Sequence, residues 1–300
     1  MGRGLVTAAL LATAAAVVLV TGCGGSSKPR PDLAFVSTRD GDYAIFGMNA
    51  DGGRQRRLTR QKGDPSSPTG LFFQVEPAWS PDGRLIAFGS RRDGPFQIFV
   101  MRADGSGARR LTTTAADDQN PTWSPDGSEI AFDRGLPGDI YVMRADGTRA
   151  HPIESDFADE GDPAWSPDGR WIAYSRRTPG TTAREIWLIH PNGSGRRRIT
   201  HLRALSQAPA WSPDGRRIAF STDKDGGVFA IYAVGLDGKQ LTRLATSETG
   251  TFEPDWSEDG NMLAFSSDGS IFTVDPGGKE KELTHAKNDS SPAWRPVRPQ

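Results

Sequence analysis

The heptapeptide Pro-Ala-Trp-Ser-Pro-Asp-Gly occurs three times, at Pro77–Gly83, Pro163–Gly169 and Pro209–Gly215. Variants stand at Pro121–Gly127 and Pro254–Gly260, and a shortened copy, Pro-Ala-Trp-Arg-Pro, at Pro292–Pro296. The motif tryptophans are therefore Trp79, Trp123, Trp165, Trp211, Trp256 and Trp294, separated in turn by 44, 42, 46, 45 and 38 residues. A period in the forties marks a repeat architecture in which each short unit buries its apolar faces only by stacking on its neighbours. One propeller blade per repeat satisfies that demand.

Within a repeat, Pro-Asp-Gly sets a tight turn, because proline fixes φ at its first central position and glycine accepts the positive φ that follows. From Trp79 to Leu111 the chain then reads as strand, turn and strand through "LIAFGS", "FQIFVMRA", Asp104-Gly105 and "ARRLT". Nine residues after the first five motif tryptophans stands an aromatic: Phe88, Phe132, Tyr174, Phe220 or Phe265. An Ile-aromatic pair marks the third strand in all six copies, from Ile45-Phe46 to Ile271-Phe272. Before Trp79 the chain holds strands two, three and four without a first, and Ser291–Trp294 is a first strand without the rest. Joining them predicts an all-β, six-bladed β-propeller of four-stranded antiparallel blades, closed by the C-terminal strand entering the N-terminal blade. Closure removes the exposed sheet edges of an open array.

The repeated W-S-P-D-G-x-x-I-A-F pattern resembles the TolB-type, WD-like propeller repeat over Leu33–Pro296. The resemblance specifies fold more than function, since this blade recurs in the periplasmic TolB protein, in propeller domains of serine peptidases and in some lyases. It implies an extracytoplasmic protein- or peptide-binding scaffold. No G-x-S-x-G elbow occurs, and no hydrolase domain follows the repeats, so catalytic activity is not expected. The alternatives are a carbohydrate-acting lyase or hydrolase on the same propeller and a metal-stabilised structural module.

The N-terminus has its own logic. Arg3 precedes the apolar run Leu5–Val20, followed by Val20-Thr21-Gly22-Cys23, which resembles a bacterial lipobox. Cys23 is the only cysteine, so no internal disulfide can form, and lipidation accounts for a lone thiol on an exported chain. A helix over Leu5–Val20 would span about 24 Å, short for a bilayer core of roughly 30 Å. The expected organisation is a lipoprotein signal peptide at 1–22, a lipidated tether at 23–31 and the propeller at 32–300, anchored to the extracytoplasmic face of a bacterial membrane. With so short a tether in place of an additional N-terminal domain, a role in the Tol-Pal envelope system is not expected. A net charge of −1, from 36 basic and 37 acidic residues, argues against nucleic acid as a partner. A protein or peptide partner and a monomeric state are expected.

All eight tryptophans have structural explanations, six between blades and Trp171 and Trp187 at apolar strand positions. The Asp-Gly pairs lack the alternating oxygen ligands and terminal glutamate of a calcium loop, and read as turns. Loop lengths are nearly constant on the face of the first-to-second turns and variable on the other, which places function on the variable face. The longest variable connection contains Lys62–Phe73. Three and five positions before the motif tryptophans stand Glu76, Asp118, Glu160, Asp162, Glu253 and Asp289, expected to converge at the channel mouth and attract a cation, a basic side chain or a peptide amine. Arg60, Lys62, Arg203 and Lys287 in the same loops are the alternative partners for these carboxylates. No cofactor is expected, apart from a divalent cation held as an option at that mouth. Of four histidines, His201 and His285 occupy equivalent places in two blades, and none has metal-ligand spacing.

Overall fold

The computed structural model describes residues 30–59, 74–92, 94–153, 158–286 and 288–296. Their regular structure consists of strands alone, arranged as six antiparallel sheets of four. Blade 1 joins Asp289–Trp294 to Leu33–Ser37, Ala44–Met48 and Arg56–Arg57, so the last strand of the chain is the inner strand of the first blade. Blades 2 to 6 follow in order, their inner strands being Gln74–Trp79, Asp118–Trp123, Glu160–Trp165, Ser206–Trp211 and Thr251–Trp256. The expected ring, its blade count and its closure are all observed.

The motif tryptophans act between blades. Trp79, Trp123, Trp165 and Trp211 are buried, and each ring removes something like 150–250 Å² from water. The Trp79 indole N–H donates to the Ala293 carbonyl of the preceding blade at 3.1 Å, Trp123 to Ala78 at 3.2 Å and Trp211 to Ala164 at 3.0 Å. The tryptophan is thus a spacer and a hydrogen-bonded staple at once. Within blades, the fully buried Phe88 and Phe265 meet the third-strand Phe99 and Phe272 with ring centroids 5.9 and 5.7 Å apart.

The turn that follows the motif tryptophan is built alike in blades 2 to 6. Ser80 Oγ donates to Asp82 Oδ1 at 2.6 Å, Asp82 accepts the Arg84 N–H at 3.0 Å, and the Gly83 N–H returns to the Ser80 carbonyl at 2.8 Å. Gly83 has φ 62°, the left-handed region that glycine enters without a Cβ penalty. The same Ser-to-Asp contact recurs at Ser124–Asp126, Ser166–Asp168, Ser212–Asp214 and Ser257–Asp259.

One departure from regular geometry decides where the inner-strand side chains go. In blades 2 to 6 the ladder register shifts between the residues four and one before the tryptophan, as at Val75/Ala78 and Phe252/Asp255, and blade 1 shifts at the matching place. The bulged residues are Glu76, Asn120, Asp162, Ala208, Glu253 and Ser291, all with φ between 49° and 55°. A bulge leaves its residue outside the ladder and re-aims its side chain. Six non-glycine residues in the left-handed region must be held there by other contacts.

Candidate functional site

Those contacts form a belt around the channel. The Glu76 carboxylate accepts the Asn120 N–H at 2.9 Å, Asp162 accepts the Ala208 N–H at 3.2 Å, and Glu253 accepts the Ser291 N–H at 2.6 Å. Acidic residues occupy this level in blades 2, 4 and 6, neutral ones in blades 3, 5 and 1, so each carboxylate secures the strained backbone of the next blade. Asn120 Nδ2 also donates to Asp133 Oδ1 at 2.7 Å, and the Glu253 N–H donates to Ser221 Oγ at 3.1 Å.

This belt is the deep end of a funnel of about 830 Å³. Above it the inner strands contribute the motif prolines, the residues next to them, and the tryptophans. The rim is Pro81, Pro125, Pro167, Pro213 and Glu258, on the first-to-second turns of blades 2 to 6, with Pro296 just after the inner strand of blade 1. The enclosed space therefore reaches the constant face of the disc, where rim residues such as Pro167 are exposed, and not the variable face to which loop lengths pointed.

Burial raises several of its carboxyl groups. Glu76 is pushed up to about 8, first by desolvation and then by the Asp133, Asp162 and Glu253 carboxylates, against the pull of the Asn120 N–H. Asp133 rises to about 7, again by burial and then by Asp162. Asp255 rises to about 7 by burial alone, opposed by the Trp294 and Trp256 N–H groups. Its Oδ2 accepts the Trp294 N–H at 2.6 Å.

The six carboxylates expected at one mouth separate into two levels. Glu76, Asp162 and Glu253 line the funnel floor. Asp118, Glu160 and Asp289 do not join them: all are buried, within their blades, against arginines. Arg134 clasps Asp118 through two hydrogen bonds of 2.6 and 2.9 Å, Arg176 Nε reaches Glu160 at 3.0 Å, and Arg39 Nη2 reaches Asp289 at 2.7 Å. Each guanidinium also covers aromatic rings, Arg134 lying 4.4 Å from the Tyr141 centroid and Arg39 4.9 Å from that of Phe46. The bulge explains the separation, because residues two apart share a face only where the strand is regular.

Sequence reasoning missed Asp133, Asp255 and Glu258. The signal for the last two lies in the repeats themselves: Asp255 stands where the other copies have Ala78, Thr122, Ala164, Ala210 and Ala293, and Glu258 where they have proline. Blade 6 alone thus carries carboxyl groups at floor, wall and rim.

Cys23 and Lys62–Phe73 lie outside the described residues, as do Arg60, Lys62 and Lys287. His151, His201 and His285 are exposed, and no histidine lines the funnel. Among the described residues no group of three or more His, Cys, Asp or Glu side chains is placed to hold a metal ion.

Comparison with known proteins adds context to this geometry. The family model described as the TolB beta propeller domain matches residues 8–203 and 162–298. The Tol-Pal system protein TolB of Syntrophus aciditrophicus is 37% identical over 99 residues, which are 32% of this chain and 20% of that protein. The chain spans about a third or less of the curated relatives it matches. TolB from Acinetobacter baumannii superposes with a TM-score of 0.74 at 18% identity, covering 88% of this chain and 66% of that one. An oligogalacturonate lyase from Vibrio parahaemolyticus superposes at 0.55 with 16% identity over 83% of this chain and 73% of the lyase. At such identities the likeness of the two structures concerns fold.

Proposed function

Because the chain belongs to the TolB β-propeller family, we propose that it is an extracytoplasmic scaffold that binds a protein or peptide segment in its central funnel without chemistry of its own. The funnel carries this reading: about 830 Å³ of concave space, walled by proline, alanine and tryptophan and floored by polar groups, has the size and character of a ligand site. Relatives named for the Tol-Pal system point the same way, toward protein partners outside the cytoplasm. The protein acts as a monomer held to the membrane by a lipid on Cys23.

A lyase reading has a structural neighbour behind it, the oligogalacturonate lyase, and turnover of polyuronides by the purified protein would favour it. Photo-crosslinking in cells tests the binding site directly. A crosslinker at the exposed rim residue Pro167 should trap a partner that one at Leu136, 87% exposed on a second-to-third loop, does not. Crosslinks from Leu136 alone would move the site to the other face. Replacing Cys23 with serine should release the protein from membranes, and continued membrane association would refute the anchor.

A further inference from the structure

The walls of the funnel are not equivalent. Five blades present alanine or threonine beside the tryptophan and proline at the rim, a frame that closes the ring and leaves the wall apolar. Blade 6 presents Glu253 at the floor, Asp255 on the wall and Glu258 at the rim. Of the residues lining the funnel, five bear carboxyl groups, the other two being Glu76 and Asp162, and one, Arg295, bears a cation. That cation is engaged outward: Arg295 Nη2 pairs with Asp32 at 3.1 Å and its Nε donates to the Pro31 carbonyl at 2.8 Å. Carboxyl groups therefore outnumber cations inside, and three of the five belong to blade 6.

The spacing of that charge constrains the occupant. Glu253 sits on the bulge and Asp255 beyond it on the wall, so the two carboxyl groups stand at different depths of the funnel. An extended peptide lying along the funnel passes both depths. The floor adds a second match, since Glu76, Asp162 and Glu253 stand on every other blade in a threefold pattern. A primary ammonium presents three N–H donors about a threefold axis, whereas a guanidinium is a flat fork.

We propose that the funnel receives an extended basic segment of a partner protein, entered tip first from the face of the Ser-Pro-Asp-Gly turns, with a primary ammonium at the floor and a second cation nearer the rim on the blade 6 carboxyl groups. The apolar part of the segment packs on the proline and tryptophan walls. This rests on the funnel being the binding site, as proposed above. The ammonium comes from a lysine side chain or from a free chain terminus, chemistries that differ only in where the amine is attached.

Titrating the purified protein with short synthetic peptides, read by intrinsic tryptophan fluorescence, tests it, because six tryptophans line the site. Acetyl-Ala-Lys-Ala-Lys-Ala-amide should give a saturable change, and Asp255→Ala with Glu258→Pro, the residues of the other blades, should weaken it about tenfold for each charge removed. The unacetylated Ala-Gln-Ala-Gln-Ala-amide binding better than its acetylated form would assign the floor to a chain terminus. Calorimetry near pH 7 in buffers of different ionisation enthalpy should record proton release on binding, as the carboxyls ionise against the incoming cation. Acetylated glutamine and lysine peptides binding alike, or unchanged affinity in the Asp255→Ala, Glu258→Pro variant, would overturn the basic occupant while leaving the funnel a site. If neither peptide perturbs the fluorescence, both readings fail.

Discussion

Asp118 and Asp162 stand at different positions of equivalent inner strands in neighbouring blades, five and three residues before a tryptophan, yet they belong to different electrostatic worlds. Asp118 is fully buried and clasped by Arg134, so its charge is answered inside one blade. Asp162 faces the funnel, and its Oδ2 accepts the Ser175 hydroxyl and the Ala208 N–H of the next blade. The first arrangement is an internal ion pair whose worth is felt when one partner is removed. In the second, the carboxyl group is held by neutral donors from its own blade and the next. Position relative to the bulge, and not residue type, separates a structural carboxylate from one available to a partner.

The two levels should respond differently to mutation. Replacing Arg134 with alanine strands Asp118 in the interior and is expected to cost about 3–5 kcal/mol, read as a large fall in denaturation midpoint, whereas Glu253→Gln at the floor should cost about 1 kcal/mol or less. Equal losses would erase the distinction.

A second effect follows from proton linkage. Asp255 and Glu76 have folded pKa values raised above their ordinary ones, so between about pH 4 and pH 7–8 the folded protein holds protons that the unfolded chain has released. Their contribution therefore makes stability fall as pH rises through that window and level off above it. Asp255→Asn should remove part of the fall, raising the melting temperature at pH 8 by about 2–4 °C relative to wild type, with less gain at pH 5. A variant that tracks wild type at both pH values would show that the Asp255 carboxyl is ionised throughout.

The smallest effect belongs to a third class, the turn aspartates. Asp126 is held below its ordinary pKa by hydrogen bonds from Ser124 and Ser128, all within one exposed turn. Asp126→Ala should cost about 0.5–1.5 kcal/mol and leave peptide binding untouched. A loss of binding would mean that the turns shape the rim.

The tryptophan spacing made blade number, strand order and ring closure legible, because each reflects an interaction repeated six times. Side-chain direction at the inner strands was not legible for a physical reason. Glu76, Asn120, Asp162, Ala208, Glu253 and Ser291 take positive φ without a single glycine among them, so no residue announces the bulge. Their conformation depends on hydrogen bonds from neighbouring blades, contacts between residues some forty apart in sequence. Asp255 was readable in principle, as the one acid at a position otherwise filled by Ala and Thr, but its burial and its bond to the Trp294 N–H emerge only in the closed ring.

That closure also has a consequence for the order of events in synthesis. Leu33 pairs with Trp294, so the inner wall of blade 1, with Ser291, Ala293 and Trp294, is supplied by residues made after the other five blades. Five blades can stack while the chain is still growing, but the chamber has a missing side until that strand arrives. Bringing it home closes a loop of most of the chain, a slow contact by the usual dependence of rate on sequence separation. A nascent or C-terminally clipped molecule therefore presents an unpaired edge and an incomplete chamber, so the finished chamber is itself a mark of completed folding.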